Sequence, residues 1–265
     1  MNHRPRKRFG QNFLRDTGVI RSIIASIAPR PGDRLVEIGP GQGAITRELL
    51  SAVGNMDAVE LDRDLIGPLA QLCAPLGELR IHNFDALKFD FCSLADAESS
   101  LRVVGNLPYN ISTPILFRLL DQARCIRDMH FMLQREVVER MSAEPGGKAY
   151  GRLSVMLQAR CEVIALFDIG PEAFVPAPKV ESAFVRLQPH HSPRYQIDDQ
   201  DLFRQIVAAA FSQRRKTLRN ALRMLMSEAG IEEAGQAPGA RAEQLPVAAF
   251  VALANAAACK LGTAS

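Results

Sequence analysis

The chain has 265 residues, of which 47% are hydrophobic and 23% charged, and its formal net charge is +3. This is an ordinary globular composition with room for one large domain and one small domain. Because the sequence contains no run of about 18 apolar residues and no signal-peptide core, we expect no membrane span. The five cysteines form no C-x-x-C pair, which predicts reduced thiols in a cytoplasmic protein, with no disulfide framework and no metal site.

The first sixteen residues carry five positive charges against one acid, Asp16. Such a basic arm suits phosphate binding, but residues 1–8 fit a frayed, solvated terminus as well. The next segment, Phe9–Leu14, places aromatic residues around polar ones, which predicts a segment that packs down while it presents polar groups. The apolar spacing in Val19–Ala28 predicts an amphipathic helix.

A strand, a glycine-rich loop and a helix follow in that order. Arg34–Ile38 is the strand, Gly39–Ala44 is the loop, and the helix runs to about Leu50. Gly39 and Gly41 let the backbone turn sharply and approach a ligand, while the helix N-terminus adds a partial positive charge. Because the loop fits the pattern G-x-G-x-x-A, it does not by itself separate NAD from other nucleoside cofactors.

Two acids follow the next two predicted strands. Glu60 lies about twenty residues beyond the first glycine, where a carboxylate can accept both ribose hydroxyl protons. After a helix over Asp64–Ala74 and a strand over Leu79–Asn83, Asp85 is placed to accept a hydrogen bond from an adenine amino group. A solvated acid at a strand end is the alternative for each, and for Glu60 the position after the glycine loop favours the ribose role.

The fourth strand ends in the turn Val103–Tyr109, which presents an amide, a backbone carbonyl and an aromatic ring side by side. Asn106 and the Leu107 carbonyl offer two acceptors to an exocyclic amino group, and Tyr109 offers a face for stacking. Pro108 stiffens the turn. Ligands bind at this edge of open α/β sheets, so the turn is a candidate site.

Strands and helices continue to alternate to about residue 189. The next helix is predicted to have Thr113 as its N-cap and Pro114 at its first position. The later elements are strands over Met129–Leu133, Cys161–Ile169 and Ala183–Leu187, a helix over Arg135–Met141 and a flexible loop over Ser142–Gly151. This alternation predicts an α/β fold with a doubly wound, Rossmann-like sheet.

From about Asp198 the pattern becomes wholly helical. Leu202–Ser227 is predicted as one helix with an apolar and a basic face, and Val247–Leu261 as a packing helix. The basic face holds five cations and no acid within ten residues, which favours an RNA partner over a solvated face. These cations are Arg214, Arg215, Lys216, Arg219 and Arg223. The predicted domains are residues 1–189 and 200–265, joined by a linker over residues 190–199.

Two cofactor chemistries fit the glycine loop and Glu60. Hydride transfer needs a donor or acceptor for the substrate oxygen, and only Tyr109 in the expected site offers one. Methyl transfer from S-adenosylmethionine needs no metal or nucleophile, only alignment, and is favoured. If Asn106 and the Leu107 carbonyl accept the two N–H bonds of adenine N6, they stabilise the positive charge that develops there. Tyr109 would stack on the extruded base.

Taken together, these motifs resemble the ribosomal RNA adenine dimethyltransferase family. The five matching segments, in this order, are Lys7–Leu14, Glu37–Gly43, Asn106–Ser112, Phe174–Val180 and Phe211–Asn220. The resemblance implies a class I methyltransferase domain followed by a small helical domain. It implies S-adenosylmethionine contacts at Asn12, Leu14, Gly39, Glu60, Asp85 and Asn106. It also implies that Phe174, which the sequence alone favours as a buried anchor over an aromatic lid, helps to hold the target base.

The activity implied by the resemblance is dimethylation at N6 of two adjacent adenosines in a hairpin loop near the 3′ end of small-subunit (16S) rRNA. The implied substrate is a late assembly intermediate of the small ribosomal subunit, and we expect the chain to act as a monomer. Two alternatives stay open, a large-subunit rRNA adenine methylase and an assembly factor that acts mainly by binding. A DNA adenine methylase is disfavoured because no separate base-reading domain is apparent.

Overall fold

A seven-stranded sheet forms the centre of the first structural unit. The computed structural model describes residues 12–192, 194–213 and 215–262. The strands in these residues are β1 (Phe13–Leu14), β2 (Arg34–Ile38), β3 (Asn55–Val59), β4 (Glu78–His82), β5 (Leu101–Asn106), β6 (Ile126–Gln134), β7 (Cys161–Ile169), β8 (Phe174–Val175) and β9 (Ser182–Pro189). The large sheet has the order β4-β3-β2-β5-β6-β9-β7, and β1 pairs with β8 separately.

Strands β2 to β6 are mutually parallel, and β9 runs antiparallel to β6. The helices in the described residues are α1 (Thr17–Ile27), α2 (Thr46–Val53), α3 (Arg63–Cys73), α4 (Ser112–Leu120), α5 (Arg135–Ser142), α6 (Arg152–Gln158), α7 (Gln200–Ala210), α8 (Leu218–Leu222), α9 (Glu228–Glu233) and α10 (Val247–Gly262). Strand order reverses between β2 and β5, and ligands bind at such a switch point. The predicted doubly wound α/β sheet is confirmed.

Helix α1 shows how local sequence sets these elements. The Asp16 side chain caps its start by accepting a hydrogen bond from the Val19 N–H at 2.9 Å. Its apolar face buries Ile23 and Ile27 in the core that the sheet and α2 share. The helix ends where Ala28 takes a left-handed conformation with φ 47°. The helix predicted over Val19–Ala28 is therefore confirmed.

A buried ion cluster holds together the edge of the sheet where the parallel strands begin. Arg102 in β5 lies 2.8 Å from the Asp33 carboxylate and 2.9 Å from that of Asp128, and it donates to the Ile27 carbonyl at 2.6 Å. Its side chain is 5% exposed. Arg127 contacts the same two acids, but its side chain is 46% exposed. Arg102 therefore compensates two acids whose side chains are only 8% and 14% exposed.

The second unit consists of residues 139–163 together with the described residues from Ser192 onward. The predicted domain boundary at residue 189 assigns residues 139–163 to the first domain. The contacts in the structure instead group these residues with the later helices. In this unit α7 packs against α10, and both bury apolar residues. Tyr150, from the segment predicted as a flexible loop, is buried here and donates to the Leu245 carbonyl at 2.8 Å.

The long basic helix predicted over Leu202–Ser227 is wrong. Helix α7 ends at Ala210, and α8 begins only at Leu218. At the start of α8, the Leu218 and Arg219 N–H groups donate to the Ala240 and Pro238 carbonyls at 2.8 and 3.0 Å. Backbone groups of a distant segment thus satisfy donors that a continuous helix would have used, which periodicity alone does not reveal.

Two further expectations are corrected. Cys92 and Cys125 form a disulfide with a Cα–Cα distance of 5.4 Å, so the expectation of reduced thiols is wrong for this pair. The fold brings their two short 3₁₀ helices together, although the cysteines are 33 residues apart in sequence. Helix α4 has Ile111, not Thr113, as its N-cap, because the Pro108–Ile111 turn leads directly into it.

Candidate active site

A cavity of about 380 Å³ opens beside the switch point, at the edge where the parallel strands end. Segments that follow β2, β3, β4 and β5 line it. Ten residues predicted for the site lie on its wall: Asn12, Leu14, Gly39, Gly41, Glu60, Asp85, Asn106, Leu107, Pro108 and Tyr109. The fold therefore brings together polar groups from five separate segments of the chain.

The glycine loop forms one wall of this cavity. Gly39 and Gly41 have φ values of 67° and 57°, a conformation that favours glycine. A Cβ at Gly41 would also lie 3.2 Å from the ring of Phe13, which packs against the loop. The Gly39 N–H donates to the Val59 carbonyl at 2.9 Å, which ties the loop to β3. The loop is thus shaped by contacts within the protein itself.

Glu60 is buried at the end of β3 and links two loops. Its Oε1 accepts from the Asp62 N–H at 2.8 Å, and its Oε2 accepts from the Gly41 N–H at 3.3 Å. Burial raises the pKa of Glu60, and these backbone hydrogen bonds partly offset the effect. Asp85, after β4, is half-buried and accepts from the Leu87 N–H at 3.0 Å. Both carboxylates are therefore held on the cavity wall by backbone donors.

The N-terminal segment fixes the orientation of the Asn106 amide. Asn106 Nδ2 donates to the Asn12 carbonyl at 2.9 Å, which leaves Oδ1 as the free acceptor. The preceding Gly105 allows β5 to approach β2, since a Cβ there would lie 2.5 Å from the Ile38 carbonyl oxygen. Among the described residues, none donates to Asn106 Oδ1 or to the Leu107 carbonyl. Both acceptors are therefore available to a ligand.

Tyr109 is held from a distant strand. Its hydroxyl lies 2.5 Å from Ser182 Oγ, and Ser182 is fully buried at the start of β9. Burial raises the pKa of Tyr109, and the hydrogen bond with Ser182 partly offsets it. Sequence analysis missed Ser182 because 73 positions separate the two hydroxyls. Ser182 therefore anchors the hydroxyl end of the Tyr109 ring, and Tyr109 lines the cavity.

Phe174 is not among the residues that line the cavity. It is 2% exposed, pairs with Leu14 across β1 and β8, and packs in the core of the first unit. This is the buried anchor that the sequence alone favours. Its contact with a target base, implied by the resemblance, stays a prediction.

Three more residues line the cavity that sequence analysis did not single out. Glu37, at the end of β2, is buried, and this burial raises its pKa to about 7. Its Oε2 has no hydrogen-bond partner among the described residues. Leu61 and Phe84 are 50% and 48% exposed, unusual for large apolar side chains. Leu61 follows Glu60 and Phe84 precedes Asp85 in the sequence. This proximity to two predicted site residues is the one sequence signal that could have identified them.

The predicted RNA-binding cations lie in the second unit. Those described are Arg215, Lys216, Arg219 and Arg223, and all but the half-buried Lys216 are exposed. Arg219 lies 3.5 Å from the Glu228 carboxylate. No acid occurs within the segment 214–223 itself, but the fold brings this one beside it. Arg214 lies outside the described residues.

Comparison with known proteins decides among the cofactor chemistries that this geometry allows. The family profile of the ribosomal RNA adenine dimethylases matches residues 2–258. The chain belongs to this family. Ribosomal RNA small subunit methyltransferase A of Methylococcus capsulatus is 57% identical over 256 residues, which cover 96% of this dimethylase and 98% of that protein. The protein of the same name from Pseudomonas aeruginosa is 57% identical and covers 96% and 94%.

Solved structures agree with the family. A dimethyladenosine transferase from Plasmodium falciparum has a TM-score of 0.76 at 25% identity, covering 91% of this dimethylase and 95% of that chain. The 23S rRNA methyltransferase ErmE has a TM-score of 0.73 at 25% identity, covering 92% and 99%. The predictions of a class I methyltransferase fold and of an S-adenosylmethionine-dependent rRNA adenine dimethyltransferase are confirmed. In the part of the dimethylase that the structure describes, no helix is long and apolar enough to cross a membrane.

Proposed function

We propose that this dimethylase transfers methyl groups from S-adenosylmethionine to N6 of two adjacent adenosines in a hairpin loop near the 3′ end of small-subunit rRNA. The turn Asn106–Tyr109 carries the proposal, because two unused acceptors and a fixed aromatic ring line the same cavity as the glycine loop. Identity of 57% to a small-subunit methyltransferase, against 25% to ErmE, supports the small subunit over the large one.

The cavity offers groups for each part of S-adenosylmethionine, which supplies an activated methyl group. Glu60 is assigned to the ribose hydroxyls and Asp85 to the adenine amino group. Leu61 and Phe84 are assigned to the adenine faces, which would cover their exposed apolar surface. The methionine portion is assigned to the glycine loop and the segment before α1, with contacts at Asn12, Leu14, Gly39 and Gly41.

Adenine N6 is a weak nucleophile because its lone pair is delocalised into the ring. Asn106 Oδ1 and the Leu107 carbonyl accept its two N–H bonds, which increases the negative charge on nitrogen. Positive charge would develop on N6 as the new N–C bond forms and the methyl–sulfur bond of the sulfonium breaks to leave a neutral thioether, so these acceptors stabilise the transition state more than the ground state. N6 would then release one proton to water and become neutral again. A neutral amide does so without placing a full negative charge beside the sulfonium.

Other residues of the turn hold the base in place. Tyr109 stacks on the extruded adenine, and the hydrogen bond between its hydroxyl and Ser182 anchors the far end of the ring. Pro108 stiffens the turn. Phe174 is buried off the cavity wall, so a contact between Phe174 and the base would require this side chain to move. After the first transfer one N–H remains on N6, so one of the two acceptors still orients the amine for the second.

RNA hairpin loops suit this site because their bases are unstacked, so extrusion costs less than from a duplex. The cations of the second unit, with Arg214, are assigned to backbone phosphates. We propose an assembly intermediate of the small subunit as the partner, the cytoplasm as the compartment and a monomer as the acting form. Residues 1–11, which include most of the basic arm and the start of the segment predicted over Phe9–Leu14, lie outside the described residues.

Labelled S-adenosylmethionine tests the proposed substrate directly. The protein is incubated with unmethylated small subunits, large subunits or DNA, and the label is mapped on each. We expect label on small-subunit RNA alone, at two adjacent adenosines, as N6,N6-dimethyladenosine. Label only on DNA or on large subunits would overturn the choice, and tight subunit binding without label would favour the assembly-factor alternative.

Charge reversal tests the assigned phosphate contacts of the second unit. Arg215→Glu and Arg223→Glu should each weaken binding to small subunits and reduce the slope of log K against log salt by about 0.7–0.9 per lost phosphate contact. Arg204→Glu in α7 is the matched control, because Arg204 is exposed and paired with Asp201. Equal salt slopes in all three variants would remove Arg215 and Arg223 from the RNA interface.

A further inference from the structure

A second cavity, of about 640 Å³, adjoins the cofactor cavity in the first unit. The two cavities share Leu14, Gln42 and Ala44 on their walls. Three arginines line the second one, which we call the arginine groove: Arg15 just before α1, Arg21 within α1, and Arg47 from α2. The glycine loop therefore separates a cofactor cavity from a basic groove.

The arginine groove keeps an excess of positive charge. All three arginines are exposed, and Glu48 is the one carboxylate on the described wall. No described carboxylate lies within 4.0 Å of Arg21 or Arg47. Arg15 donates to the neutral Gln42 Oε1 at 2.6 Å, which orients its guanidinium without neutralising it. By contrast, Arg80 and Arg127, which are exposed to a similar degree, each pair with a buried acid.

Of the described carboxylates, only that of Glu48 lies on the groove wall, and it leaves the three arginines in excess. Asp16, the neighbour of Arg15, is engaged as the cap of α1. The residues that precede Asn12 carry the same sign of charge, with Arg4, Arg6, Lys7 and Arg8. Because like charges repel, the groove is built for an anion that comes from outside the chain.

We propose that the arginine groove binds consecutive backbone phosphates of the RNA that delivers the target adenosine. This inference rests on the proposed function. An extruded base would enter the cofactor cavity while the phosphates of its strand stay outside, and the shared wall at Gln42 places the groove directly beside that cavity. Guanidinium groups bind phosphate oxygens in a bidentate manner.

The size and spread of the groove favour a polymer over a single small anion. Its volume far exceeds that of one phosphate, and its three cations come from two different helices and the segment before them. The bond from Arg15 to Gln42 also links the groove to the glycine loop. RNA bound here would therefore contact the same loop that shapes the cofactor cavity.

The test uses the full-length double variant Arg21→Glu/Arg47→Glu. The matched control is Arg30→Glu/Arg124→Glu, which changes the net charge equally with exposed arginines that precede β2 and β6, at the opposite sheet edge. Subunit binding is measured across salt concentrations, methylation gives kcat and KM, and calorimetry gives S-adenosylmethionine affinity. Thermal unfolding checks that both variants fold.

We expect the groove variant to raise KM for small subunits about tenfold or more and to reduce the salt slope by about 1.4–1.8, the value for two phosphate contacts. Its kcat at saturating subunits and its cofactor affinity should stay near those of the control. Equal behaviour of the two variants would overturn the proposal, as would a loss of kcat with KM and salt slope unchanged.

A binding experiment with inorganic phosphate tests whether the groove instead binds a single small anion. Saturable binding of phosphate to the wild type that the groove variant loses, with subunit binding intact, would identify a small-anion site and overturn the proposal. Failure of the proposed function can be told apart from failure of this inference. If the proposed function is wrong, the wild-type protein places no label on small-subunit RNA, whatever the binding assay shows for the groove variant.

Discussion

Replacement of Asn106 by alanine is expected to lower the rate of methyl transfer by about 10²- to 10³-fold, the usual effect of removing one preorganised hydrogen-bonding group from a transition state. The variant loses the acceptor that the Asn12 carbonyl holds in position. Affinity for S-adenosylmethionine should fall much less, because Glu60, Asp85 and the glycine loop remain. Single-turnover methylation at saturating substrates measures the rate, and calorimetry measures the cofactor affinity.

Asn55→Ala is the matched control for this change. Asn55 is exposed at the start of β3, at the edge of the sheet away from the cavity, so its loss should leave both quantities unchanged. A near wild-type transfer rate for Asn106→Ala would show that its amide does not act in the chemical step. An equal loss of rate and cofactor affinity would assign Asn106 to cofactor binding alone.

The largest effect on stability is expected from Arg102→Ala, which should lower the free energy of unfolding by about 3–5 kcal/mol. The variant leaves the Asp33 and Asp128 carboxylates buried without the guanidinium that lies 2.8 and 2.9 Å from them. Arg127→Ala is the control, because its more exposed pair with the same acids should contribute about 1 kcal/mol or less. Chemical denaturation of the three proteins at neutral pH measures the difference.

The cost of Arg102→Ala should also depend on pH. Burial would raise the pKa of Asp128, but its contacts with His130 and Arg102 outweigh burial and lower the pKa to about 2. A lowered carboxyl pKa contributes stability that is present above the unfolded value, near 3.8, and is lost as the pH falls towards 2. The two stability curves should therefore converge below about pH 4, and a constant gap would contradict this account.

Much of the sheet could be predicted from the sequence because its signals are local. A short apolar run, the glycine loop and an acid at a strand end place β2, β3 and Glu60 without any tertiary information. The Leu202–Ser227 helix failed for the opposite reason, since donors at its centre bond to the backbone around Ala240. The β1–β8 pair has two residues in each strand, too few for a periodic pattern.

The same distinction holds within the candidate site. The turn Asn106–Tyr109 and the glycine loop were found because their residue types are unusual at strand ends. Ser182 was missed because a buried serine in a strand has no pattern until the fold brings it to Tyr109. Glu37 was quoted only as part of a motif, since its raised pKa arises from burial and not from its neighbours in sequence. The disulfide likewise depends on contact between two 3₁₀ helices that are distant in sequence.

The pairing of β1 with β8 has a consequence for the order of events during translation. Asn12, which orients the Asn106 amide, immediately precedes a strand whose partner is Val175 and Phe174. Synthesis runs from the N-terminus, so the glycine loop and the turn Asn106–Tyr109 exist long before β8 is made. A nascent chain can thus complete β2 to β5 while its N-terminal strand still lacks a partner. The strand pair that follows Asn12, whose carbonyl bonds to the Asn106 amide, forms only after more than half of the polypeptide has been synthesised.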